Sequence, residues 1–173
     1  MNTTIPLYLL LAYGISTPCF LVMAVFNSHL RKIRPRYLST ANIIAALAAL
    51  LMIILLVIDL RNARRINADD SFYQYRSATI LPIILFLSAA CLLTLSRKLR
   101  RNVLFTLVLI AIYCICIFKD AVYVFFTGFS RDYLPSSWSY YYSAYDLYIL
   151  IYAAVYLAIC YFIAAKPVSR SRR

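Results

Sequence analysis

The side chains most able to do chemistry are few, and their placement is unpromising for catalysis. Cys19, Cys91, Cys114, Cys116 and Cys160 all fall in apolar stretches. Cys114 and Cys116 stand two apart, so a helix points them to nearly opposite faces, whereas a redox pair wants Cys-x-x-Cys. They read as small packing residues, and no disulfide is expected. His29 is the sole histidine, beside Arg31 and Lys32. One imidazole without a nearby carboxylate builds neither a metal set nor a haem ligand pair. Gly-x-Ser-x-Gly is absent, and no histidine stands near the aspartates to complete a serine triad. Gly14 and Gly128 are the only glycines, too few for a phosphate-cradling loop. All six acids are Asp, and none lies inside an apolar run, so paired intramembrane carboxylates are excluded. The expectation is a protein that is not an enzyme, with no catalytic residue, no bound metal and no cofactor.

Tyrosine is the unusual residue. There are 16, against 10 Phe. Tyr140, Tyr141, Tyr142 and Tyr145 follow Trp138 and suit an aromatic belt at a membrane interface. The belt does not explain the continuation: Tyr141, Tyr145, Tyr148, Tyr152 and Tyr156 recur at 4, 3, 4 and 4 residues, which marks one helix face. A phenol in hydrocarbon needs a partner for its hydroxyl. This face is therefore expected to turn toward the bundle interior or a partner, with Asn42, Ser88, Thr94 and Thr106 available inside other apolar runs. It is either an internal packing seam, a docking face for another membrane helix, or the wall of an amphipathic pocket.

The elements that carry these residues follow from composition. Of 173 residues, 64% are hydrophobic and 14% charged. Soluble domains are about 45–50% apolar and about 25% charged, and a small globule cannot hide this much apolar surface from water. Five runs carry no charge: Ile5–Phe26, Leu38–Ile58, Ala78–Ser96, Val103–Phe118 and Leu147–Ala165, of 22, 21, 19, 16 and 19 residues. About 20 residues of helix cross the hydrocarbon. The fourth run reaches that length by continuing past Lys119 and Asp120 to Phe126. The expected fold is all-α, one polytopic membrane bundle over 1–173 with five transmembrane helices, at about 5–26, 38–58, 78–96, 103–126 and 147–165. Pro18, four residues after Gly14, is expected to bend the first. In the second, Ala41, Ala45 and Ala48 or Ala49 form a small-residue face for close helix approach.

Charge sets the orientation. Segments 27–37, 97–102 and 166–173 hold 12 basic residues in 25 positions and no acid. Segments 59–77 and 119–146 hold the other 6 basic residues and all six Asp in 47 positions. Short Lys/Arg-rich loops stay cytoplasmic, and an odd span count puts all three basic segments on one side. The N-terminus is thus expected outside and the C-terminus inside. At the outer ends Asp59, Arg61, Lys119, Asp120 and Asp146 form a candidate ion-pair cluster. Met1–Thr4 carries no positive charge, so the first run is expected to stay as a span rather than be cleaved as a signal peptide. The segment 119–146, with Phe125, Phe126, Phe129, Tyr133, Leu134 and Trp138, is expected to lie against the bilayer as an outer cap.

The net charge of +12 meets anionic lipid headgroups at the inner face first, and no nucleic-acid partner is expected. The chain is expected in a cell inner or plasma membrane. There it would be a non-enzymatic multi-pass protein working through protein–protein or protein–lipid contacts, as an accessory, regulatory or toxin- or phage-protection component with a membrane protein partner. In size, basic charge and lack of a soluble domain it is loosely similar to immunity proteins against pore-forming bacteriocins, with five spans where that group has four. The alternatives are a small permease, channel or lipid-binding transport subunit with a tyrosine-lined pocket, and the membrane sensor half of a signalling system.

Overall fold

The computed structural model describes residues 4–66, 70–117 and 144–166. Among them there is helix and no strand: α1 (Thr4–Phe26), α2 (Ser28–Ile66), α3 (Asp70–Thr94), α4 (Arg97–Arg100), α5 (Val103–Ile117) and α6 (Ala144–Ala165). Four of these, α1, α2, α3 and α6, are long and apolar enough to cross a membrane; α5 is a shorter apolar helix. At about 1.5 Å per residue the 15 residues of α5 span about 22 Å, less than a bilayer core. Its expected continuation to Phe126 lies outside the described residues, as does the proposed outer cap.

α2 differs most from expectation. The basic segment 28–37 is not a loop but the first turns of a single 39-residue helix. Arg, Lys, Leu and Ile all tolerate helix well, and Asn27 starts it. The Asn27 side-chain oxygen accepts the His29 backbone N–H at 2.9 Å, and its carbonyl accepts that of Arg31 at 3.0 Å. This satisfies two of the amides that a helix start leaves free. Asn102 repeats the device before α5, accepting from Leu104 N–H at 2.9 Å. α1 runs as one helix through Pro18. Gly14, four residues earlier, would meet nothing if it carried a Cβ, so close packing is not what calls for glycine there.

Named contacts set the helix directions. Phe20 stacks on Tyr37 and Tyr13 bonds Asn42, so α1 and α2 run antiparallel. Arg76 meets Asp59 and the Cys91 thiol meets the Ala46 carbonyl, so α2 and α3 are antiparallel too. Tyr8 pairs with Tyr152 and Tyr13 with Tyr156, so α6 lies parallel to α1. α6 packs on both α1 and α2, while α5 packs on α1 and α3. The Asn27 link, the α3–α4–α5 turn and Lys166 therefore share one end of the bundle. Arg31, Lys32, Arg34, Arg36, Arg97, Lys98, Arg100 and Arg101 collect toward that end. Arg31 reaches back to the Val25 carbonyl in the last turn of α1, donating from Nη2 at 3.3 Å.

The core follows helical spacing. α1 buries Leu10, Tyr13, Thr17, Phe20 and Ala24, and α2 buries Tyr37, Leu38, Ala41, Asn42, Ala45, Ala48 and Ala49. The small-residue face of α2 is thus at the centre. Alanines there let neighbouring helices come close, and dispersion contacts then hold them where lipid offers no hydrophobic drive.

Candidate functional site

The polar chemistry of the bundle converges on Asn42, which is 0% exposed. Its amide oxygen accepts the Tyr13 hydroxyl at 2.6 Å. Its amide nitrogen donates to the Arg100 carbonyl at 2.9 Å and to the Thr106 hydroxyl at 3.0 Å. The Thr106 hydroxyl in turn donates to the Asn102 carbonyl at 2.9 Å. One side chain on α2 thereby ties α1, the end of α4 and the start of α5. Each bond inside a membrane bundle contributes about 0.6–1 kcal/mol.

Aromatic rings surround this node. Tyr13 meets Tyr113 edge-on at 5.8 Å and Tyr156 edge-on at 6.2 Å, arrangements that suit the ring quadrupoles. The Tyr156 hydroxyl donates to the Ala41 carbonyl at 2.7 Å, crossing from α6 to α2 where alanine leaves room for the phenol. Two turns of α1 away, Phe20 stacks on Tyr37 with centroids 3.6 Å apart.

The expected tyrosine face divides. Tyr156 is 4% exposed, but Tyr148 is 52% and Tyr152 is 44% exposed. Tyr145 lies on α6 with its side chain outside the described residues, and Tyr141 lies outside them altogether. The reason is geometric: a step of four residues advances about 40° around a helix, so a line of tyrosines drifts off the contact face. The face α6 buries is instead Ala153, Tyr156, Cys160 and Ala164. Tyr152 still has a ring partner, Tyr8 on α1, stacked at 5.4 Å.

Of the outer ion-pair candidates, Asp59 has a partner, and it is Arg76. Its Nε at 3.2 Å and Nη2 at 2.8 Å both donate to one carboxylate oxygen. The two side chains are 36% and 43% exposed, so the pair contributes no more than a surface bridge, about 0.2–1 kcal/mol. Arg61 is exposed. Lys119 and Asp120 lie outside the described residues, as does the side chain of Asp146 on α6. Arg64 sits over the Tyr73 ring at 5.8 Å, a second cationic contact at this end.

Sequence reasoning missed Tyr13 and Arg76. The clue to Tyr13 was its spacing with Leu10, Thr17 and Phe20, which puts it on the one contact face of α1. The clue to its partner was that Asn42 is the only Asn in any charge-free run. No group of His, Cys, Asp or Glu that could hold a metal occurs among the described residues, and the five cysteines are free. Among the described residues, Tyr113 OH and Arg100 Nε are buried without a hydrogen bond, and Ser16 Oγ, Thr17 Oγ1 and Tyr37 OH are buried beside one another without one of good geometry. Each such group costs about 1–3 kcal/mol if nothing satisfies it. No protein-family model, curated protein or solved structure is significantly similar to this chain.

Proposed function

We propose that the chain is a non-enzymatic, multi-pass protein of a cell inner or plasma membrane that acts through protein–protein or protein–lipid contacts. The observation that carries this reading is how its side chains are used. The hydroxyls and amide best able to bind a substrate, those of Tyr13, Asn42, Thr106 and Tyr156, are committed to joining helices. The outward faces of α3, α5 and α6 present Leu85, Phe86, Leu92, Leu104, Leu107 and Phe162, each about half exposed or more. An apolar exterior around a polar, tied interior suits a solid bundle whose working surface is its outside.

In this reading the bundle has five spans, α5 continuing toward Phe126. The end that gathers the basic segments faces the cytoplasm, where Lys and Arg are retained and meet anionic headgroups. The N-terminus is outside and the C-terminus inside. The partner is another membrane protein, and the role is accessory, regulatory or protective against toxin or phage. A second reading, a small permease or lipid-binding subunit, draws on the exposed Tyr148 and on Tyr152 stacked on Tyr8 at the other end of α1 and α6, which would suit an amphipathic ligand.

Photocrosslinking separates the two. A crosslinker at Leu107 or Phe162 in native membranes is expected to capture a discrete protein. Capture of lipid alone at both positions, with a small solute captured at Tyr152, would favour the second reading and overturn the first.

A further inference from the structure

The charge-free stretches of the helices are not level with one another along the bundle. Side-chain contacts fix the register. Tyr13 on Asn42 and Phe20 on Tyr37 set Ile5 of α1 level with about position 50 of α2, and Phe26 level with about position 30. Tyr156 on Ala41 sets Leu147 of α6 level with about position 50, and Ala165 with about position 32. α1 and α6 thus share one apolar band. The band of α2 itself runs from Leu38 to Ile58. The Arg76–Asp59 and Cys91–Ala46 contacts set the α3 band, Ala78–Ser96, level with it. The bonds of Asn42 to the Arg100 carbonyl and the Thr106 hydroxyl bring the start of α5 to the same height. The two bands are therefore offset by about eight residues, about 12 Å.

An upright bundle cannot match both bands to one flat bilayer. It would either sink the cations of 97–101 about 12 Å below the level of Phe26 and Ala165, where charge is costly, or lift the ends of α1 and α6 into water. Those ends are apolar: Val22, Val25, Phe26, Phe162 and Ile163 are each half exposed or more. The offset has the same sense and size at both ends of the bundle, which a pit at one end does not produce and a lean does. α6 and α3 flank α2 without touching each other among the described residues, so they stand about two helix spacings apart, about 16–20 Å. An offset of about 12 Å over that separation is a lean of about 35°, inside the range of about 0–40° that membrane helices adopt. The lean changes what the cations meet. Arg31, Lys32, Arg34 and Arg36 lie beside the ends of α1 and α6, and the four cations of 97–101 lie lower along the bundle axis; tilting brings the two sets to one height, and their flexible stems take up the remainder. Asp59, Asp70 and Asp146 all lie toward the far ends of their helices, and segments 27–37, 97–102 and 166–173 hold no acid. The complement to this charge is the phosphate of an anionic lipid. We propose that the bundle sits inclined by about 35° in the membrane, so that the cations of α2 and of 97–101 form one oblique surface docked on anionic phospholipid. The cationic collar is then level with the membrane although it is not level with the bundle. This rests on the reading that the basic end meets anionic headgroups, and not on which side of the cell membrane that end faces.

Solid-state NMR on the labelled full chain in aligned bilayers of phosphatidylcholine and phosphatidylglycerol tests both parts. The 15N amide spectra are expected to give a mean helix tilt of about 35°. Arginine Cζ carbons are expected to be dephased by lipid phosphorus. Arg97→Gln with Arg101→Gln, and Arg31→Gln with Arg36→Gln, are each expected to remove a comparable share of that dephasing. These four side chains are exposed and the Arg100 carbonyl keeps its bond to Asn42; unchanged helical circular dichroism shows that each variant folds. A mean tilt below about 15° would overturn the proposal. So would a loss confined to one double variant, because phosphate would then reach only one of the two sets. Dephasing equally strong in phosphatidylcholine alone, with the tilt retained, would overturn the anionic-lipid reading while the inclination stands.

Discussion

Replacing Asn42 with leucine probes the bundle at its most connected point. Leucine keeps the branched shape, with somewhat more bulk, and removes three hydrogen bonds, to Tyr13, Arg100 and Thr106. At about 0.6–1 kcal/mol each, that is about 2–3 kcal/mol. The Tyr13 hydroxyl is left buried without an acceptor, which adds about 1–3 kcal/mol, and burial of the apolar leucine in place of the amide returns about 1 kcal/mol. The expected net loss is about 3 kcal/mol, roughly a hundredfold in the unfolding equilibrium. Denaturant unfolding in mild detergent, followed by helical circular dichroism, measures it. The diagnostic is the sign of the second mutation. Tyr13→Phe alone is expected to cost about 1 kcal/mol, since Asn42 loses its donor. Added to Asn42→Leu it is expected to cost nothing or to restore stability, because the orphaned hydroxyl is gone. Equal cost of Tyr13→Phe in both backgrounds, or an Asn42→Leu variant as stable as the parent, would refute the reasoning.

Other perturbations have smaller or differently signed effects. Tyr156→Phe is expected to destabilise by about 1 kcal/mol through loss of its bond to the Ala41 carbonyl. Tyr152→Phe, which keeps its stack on Tyr8, is expected to change stability by less than about 0.5 kcal/mol; the same unfolding assay compares them. Asp59→Asn is expected to cost at most about 1 kcal/mol, and the difference should shrink in high salt because the pair is partly exposed. Ala45→Leu is expected to cost about 1–3 kcal/mol or more by forcing α2 from its neighbours, read as a lower thermal midpoint.

Much of the architecture was legible from charge-free runs, because a helix that must avoid charge over about 20 residues is written into the sequence directly. The alanine face of α2 was legible for a similar reason: small residues at helical spacing have few other uses in an apolar run. The helical start of α2 was not, because basic residues suit a loop and a helix equally well. Within the site, Asn42 could be named as a hydrogen-bonding partner from its polarity alone, but its mate could not. Any buried tyrosine would have served, and only packing decides that Tyr13 reaches it. Periodicity put Tyr148, Tyr152 and Tyr156 on one line but could not say how much of that line the bundle itself covers. A four-residue step drifts by about 40° around the helix, so among the described side chains of this face Tyr156 alone lies on the buried side.

Sidedness is the claim on which the proposed partner, collar and outer face all depend, and cysteine accessibility measures it. In a background lacking the five native cysteines, single cysteines replace Ser136 and Ser171, and intact cells are treated with a membrane-impermeant maleimide. The proposed topology predicts labelling at position 136 in intact cells, and at 171 only after the membrane is opened. Labelling of 171 from outside, or of 136 only from inside, would contradict it.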